Sequence, residues 1–84
     1  MGHAREQTKR LASKLRQIRI ELNLSQDGII RLLGLEDSLT REDISKFERG
    51  IREPPLRVIV RYARSLRIST DVLIDDDLDL PPLK

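Results

Sequence analysis

GLEDSLTREDISKFERG, running from Gly34 to Gly50, decides how the chain is read. Within it, Thr40-Arg41-Glu42-Asp43 has the form of a helix start in which a hydroxyl and a carboxylate three residues apart satisfy each other's free backbone N–H groups. Ile44 and Phe47 follow at the spacing of inward positions on a helix. Gly50 can take the left-handed conformation that closes one. The stretch therefore predicts a short helix over about Arg41–Arg49. It also holds five acidic residues (Glu36, Asp37, Glu42, Asp43, Glu48) against three basic ones (Arg41, Lys46, Arg49), so any polyanion meeting this helix needs most of those acids turned elsewhere.

Upstream, Gly34 closes a helix over Gln26 to Leu33, capped by Ser25 and using Ile29, Ile30, Leu32 and Leu33 as buried positions. Before it, Leu11, Leu15, Ile18 and Leu22 share one face of a helix from about Glu6, ended at Asn23, a residue that tolerates the left-handed region. Downstream, Pro54 and Pro55 reset the chain, and Leu56, Ile59, Val60, Ala63 and Leu66 recur at helical spacing. A fifth, brief helix starts at Ser69 or Thr70 and uses Val72, Leu73 and Ile74. No stretch alternates apolar and polar residues long enough to make a strand. The expected fold is all-α with five helices, in a domain over residues 1–74, followed by an acidic, proline-containing tail over 75–84 that is flexible or folds back only locally.

With 84 residues the chain supports a single small core. It has no cysteine, hence no disulfide and no thiolate metal site. No apolar run reaches the ~18 residues of a membrane span, and MGHAREQTKR lacks the apolar stretch of a signal peptide; the expected location is cytoplasmic. One His, no Cys and no glycine-rich phosphate loop offer no nucleophile–base pair, so neither an enzyme nor a cofactor is expected. His3 reads as a terminal residue. Asp75, Asp76, Asp77 and Asp79 are adjacent carboxylates that do not converge as a calcium loop does, so no metal site is expected. Net charge is +2, but residues 1–70 carry +6 and residues 71–84 carry −4. A basic body points to a polyanionic partner.

Two short helices joined by a turn, the second with polar residues outward near its start, form the arrangement that lays a helix in the DNA major groove. LRQIRIELNLSQ, GL, ISKFERG, REPPL and YARSLRISTDVL together resemble the lambda-repressor-like helix-turn-helix family, the XRE family of Cro- and repressor-type regulators, over about Leu11 to Ile74. The resemblance implies a transcriptional regulator of repressor type that binds double-stranded DNA through helix 3. It places Gln26 at the DNA backbone, and it pairs Arg19 with Glu48 so that helix 3 is fixed against helix 1. Thr40, Arg41, Glu42, Ser45, Lys46 and Arg49 are then on or near the outer side. Arg41 suits guanine O6 and N7, Ser45 a base edge or phosphate, and Lys46, Arg49 and Arg52 suit phosphates.

Four departures from the family pattern stand out. About four extra residues lie within Leu35-Glu36-Asp37-Ser38-Leu39, so a tight turn becomes an extended loop between helices 2 and 3. Ile30 replaces a small residue, and the longer loop lets the two helices separate enough to hold it. Arg67 stands where glycine is common and Ile51 where a basic residue is common. Ile20 and Ile51 are candidate exposed apolar residues of a homodimer surface. The rival reading keeps the fold as a protein-interaction module, with Glu42 and Asp43 discouraging DNA; an antitoxin would combine both, with a toxin or another regulator as its protein partner.

Overall fold

Local capping chemistry sets the element boundaries over residues 9–83, which the computed structural model describes. The helices are α1 Leu11–Glu21, α2 Gln26–Leu33, α3 Arg41–Glu48, α4 Leu56–Leu66 and α5 Thr70–Ile74, with no strand among the described residues. The Ser25 hydroxyl accepts the Gly28 N–H at the start of α2, and Ser69 accepts that of Asp71 at the start of α5. Asn23 (φ 58°) and Gly34 (φ 70°) close α1 and α2 in the left-handed region. Arg67 closes α4 in the same conformation (φ 58°), at a cost of roughly 1–2 kcal/mol that glycine would avoid. The expected helix start near Glu6, the reading of His3 and most of MGHAREQTKR lie outside the described residues. Lys9 and Arg10 form a bend, and α1 begins only at Leu11.

One core gathers Leu11, Leu15 and Ile18 of α1, Ile29, Ile30 and Leu33 of α2, Ile44 and Phe47 of α3, Val58, Ile59, Tyr62 and Ala63 of α4, and Leu73 of α5. α3 packs on α1 and α2, α4 packs on α2, and α5 closes against α4 and α1. Three apolar positions expected inside face outward: Leu32, Leu56 and Ile74 are 42%, 68% and 37% exposed. Each lies at the margin of an arc already filled by its neighbours, Leu56 as the first residue of α4 and Ile74 as the last of α5.

The connection between α2 and α3 holds two core residues of its own. Leu35 and Leu39 are buried, and the Ser38 and Leu39 N–H groups both donate to Leu35 O, which folds the segment into a turn. The extra length is thus a small apolar plug between the helices, and Ile30 is buried with it.

The C-terminal segment is docked, in contrast to the flexible tail expected from its charges. Asp76 accepts the N–H groups of Lys9 (2.9 Å) and Arg10 (3.0 Å), while Arg10 donates to Asp76 O and to the Asp79 carboxylate. Lys14 is buried, and its ammonium donates to Val72 O and Asp75 O. Leu80 and Leu83 pack against the core. Burial, then the nearby Arg10, pull the Lys14 pKa down; the N–H groups of Lys9 and Arg10 hold Asp76 below the ordinary aspartate value.

Candidate nucleic-acid interface

α3 starts where Thr40 and Asp43 close a reciprocal cap. The Thr40 hydroxyl accepts the Asp43 N–H at 3.2 Å, and the Asp43 carboxylate accepts the Thr40 N–H at 2.9 Å. The same carboxylate accepts from Arg52 Nη1 at 2.8 Å, and the Arg52 guanidinium lies 5.1 Å from the centre of the Phe47 ring. The Thr40 N–H, then Arg52, hold the Asp43 pKa below its ordinary value. Arg52 therefore ties the chain after α3 back to the start of α3.

On the inner side, Arg19 Nε and Nη2 donate to Glu48 Oε2 and Oε1 at 2.8 and 3.0 Å, and Arg19 Nη1 reaches Leu24 O at 3.1 Å. One guanidinium thus joins α1, the α1–α2 connector and α3. The hydrogen bond to Glu48 raises the Arg19 pKa further. Beside this pair the Tyr62 hydroxyl is buried with no hydrogen-bond partner among the described residues; burial, with the Glu48 carboxylate adding to it, pushes its pKa far up.

The outer side carries Arg41, Glu42 and Arg49 exposed, with Ser45 and Lys46 half-buried. Arg41 Nε stands 3.6 Å from Asp27 Oδ2, an exposed pair too long for a hydrogen bond. Arg49 Nε donates to Ser45 Oγ at 3.0 Å. Glu42, Lys46 and the half-buried Gln26 side chain make no hydrogen bond or ion pair among the described residues. The acids of the opening stretch thus separate: Asp43 and Glu48 are engaged, Glu36 and Asp37 sit exposed in the α2–α3 connection, and Glu42 alone is exposed on the helix. The sequence did not suggest Asp27 beside Arg41 or Asp43 on Arg52, because both contacts depend on how the segments around α3 pack.

A model of the helix-turn-helix family matches residues 15–73, from within α1 to within α5. The chain belongs to that family. Its fold is similar to that of the P22 c2 repressor protein, whose crystal structure was determined in complex with synthetic operator 9T in the presence of Tl+: the TM-score is 0.67 at 24% identity, covering 86% of this chain and 100% of that one. None of the curated proteins matches the chain significantly. As in lambda-repressor-like folds, α2 and α3 here form the helix-turn-helix pair, lengthened by the Leu35–Leu39 plug. Among the described residues, no helix of this helix-turn-helix protein is long and apolar enough to cross a membrane, and no cluster of three or more His, Cys, Asp or Glu side chains forms a metal cage.

Proposed function

We propose that the chain is a sequence-specific DNA-binding transcriptional regulator of repressor type, acting in the cytoplasm by occupying operator DNA with α3 in the major groove. The observation that carries this reading is the division of α3 into an inner face locked by Glu48 and an outer face on which Arg41, Glu42 and Arg49 are exposed. A helix held this firmly can present Arg41 and Glu42 at a defined register, which base recognition requires. The similar fold of a repressor solved on its operator supports the same mode.

In this reading the DNA-binding domain is residues 1–74. Arg41 bonds guanine O6 and N7, and Glu42 accepts from cytosine N4. Ser45 serves a base edge or phosphate beside Arg49. Gln26, Thr40, Lys46, Arg49 and the free donors of Arg52 hold the backbone, a contribution that falls with salt. The test is selection of bound duplexes from a random pool, followed by anisotropy titration. Arg41→Ala should cost about 1–3 kcal/mol on the selected site and relax one position, whereas Lys46→Ala should lower the salt slope by about one for every sequence. Absence of any duplex binding that weakens with salt would sink the reading.

A further inference from the structure

α4 and the segment after it carry opposite charges that do not neutralise each other. Arg57, Arg61 and Arg64 recur on one side of α4, turned away from Val58, Ile59, Tyr62 and Ala63 in the core, and Arg67 extends the row at the end of the helix. No acidic residue occurs from Pro54 to Thr70. Arg57, Arg64 and Arg67 are exposed and form no ion pair among the described residues, while Arg61 Nη1 donates to Leu33 O. Leu56, 68% exposed, and the half-buried Val60 lie to one side of the row, between it and the core face.

The chain from Ile68 to Leu83 is the reverse, holding five aspartates and no basic residue. Asp76 and Asp79 are used by Lys9 and Arg10, which fix the segment in place. Asp71, Asp75 and Asp77 are left exposed without an ion pair among the described residues. α5, which carries Asp71 and leads into Asp75 and Asp77, packs against α4.

We propose that the arginine row of α4 docks on the Asp71, Asp75 and Asp77 edge of a second copy of this chain. A nucleic acid laid on the row would neutralise the arginines and leave the aspartates unpaired. A second copy satisfies both surfaces. Because each chain carries both, a two-fold arrangement forms the contact twice, arginines of one copy on aspartates of the other and the reverse. The contact does not depend on DNA binding, since none of these side chains belongs to the outer face of α3.

Sedimentation equilibrium of the full chain tests this. Self-association is expected at low ionic strength, weakening at least about tenfold between ~0.01 M and ~0.15 M salt as the screening length falls from ~30 to ~8 Å. Arg57→Glu with Arg64→Glu, and separately Asp71→Arg with Asp77→Arg, should each give a monomer with unchanged helical circular dichroism. Mixed in equal amounts, the two variants should associate, because the glutamates placed on the row of one meet the arginines placed on the edge of the other, while the unchanged row and edge still pair. A wild-type chain that stays monomeric at millimolar concentration in low salt overturns the proposal, as does association that survives in both variants or fails in a mixture of folded ones. Loss of duplex affinity in the arginine variant with self-association intact overturns it in favour of a phosphate-binding role for the row.

Discussion

Arg19 and Glu48 meet through two parallel hydrogen bonds, and the Glu48 carboxylate is only 3% exposed. A buried carboxylate left without its guanidinium is strongly unfavourable, so Arg19→Ala should lower unfolding free energy by about 3–5 kcal/mol. Replacing both residues by leucine should cost clearly less than the sum of the single changes, because no orphan charge remains. Urea unfolding of the two single variants and the double variant measures this directly. Additive losses would show that the pair contributes nothing beyond its separate packing.

The α2–α3 connection owes its shape to Leu35 and Leu39, 5% and 9% exposed. Leu39→Ala should destabilise the domain by about 2–4 kcal/mol, the usual range for a truncated core leucine. Removing four residues from this segment while Ile30 is kept should cost more, since Ile30 would then be pressed against α3; restoring alanine at position 30 should recover part of the loss. Thermal unfolding that is unchanged by the deletion would contradict the account of the plug.

The contrast between Thr40 and Asp76 explains what the sequence could disclose. The Thr40–Asp43 cap, the left-handed residues after α1 and α2 and the inward pair Ile44 and Phe47 are local, so spacing alone locates α3. The family motifs likewise point to Arg19 and Glu48. The Asp76 contacts with Lys9 and Arg10 join distant parts of the chain, and a run of aspartates by itself looks merely solvated. Lys14 and Tyr62 are hidden for a related reason: a lysine can be buried when carbonyls from α5 and the chain after it receive its ammonium, and no helix pattern records that. On α3, the exposed positions Arg41, Glu42 and Arg49 followed from periodicity. Asp27 near Arg41 and Asp43 bonded to Arg52 depend on tertiary packing, so they did not.

Asp76 makes the docking of the C-terminal segment sensitive to acid. Its folded pKa is depressed, chiefly by the Lys9 N–H and then that of Arg10. A depressed carboxylate contributes stability above its unfolded pKa, near ~3.9, that is lost as pH falls through the lower folded value. Hydrogen exchange should therefore find the Lys9 and Arg10 amides protected at neutral pH and losing that protection below about pH 4. Asp76→Asn should weaken the protection at every pH. Equal exchange of both amides in the wild-type chain and this variant at neutral pH would rule out the contact.

The Tyr62 hydroxyl has no partner among the described residues despite being buried. Removing an unsatisfied buried group relieves its desolvation cost, so Tyr62→Phe should leave stability unchanged or raise it by up to about 1 kcal/mol. The aromatic ring keeps its place in the core, which makes the substitution a clean probe of the oxygen. A loss greater than about 1 kcal/mol in urea unfolding would mean that the hydroxyl is bonded in solution.

Glu42 is the exposed carboxylate on α3 that no neighbour engages. Under the proposed DNA-binding function it would act in two opposed ways, repelling phosphates on every sequence and accepting a hydrogen bond from cytosine N4 on the right one. Glu42→Ala should therefore raise affinity for mixed-sequence duplex while costing about 1–3 kcal/mol of discrimination at one C·G pair of the selected site. The specificity ratio then narrows from both ends, which a titration of matched and scrambled duplexes at one salt concentration would measure. A uniform rise for all sequences would assign the carboxylate to repulsion alone and remove it from base reading.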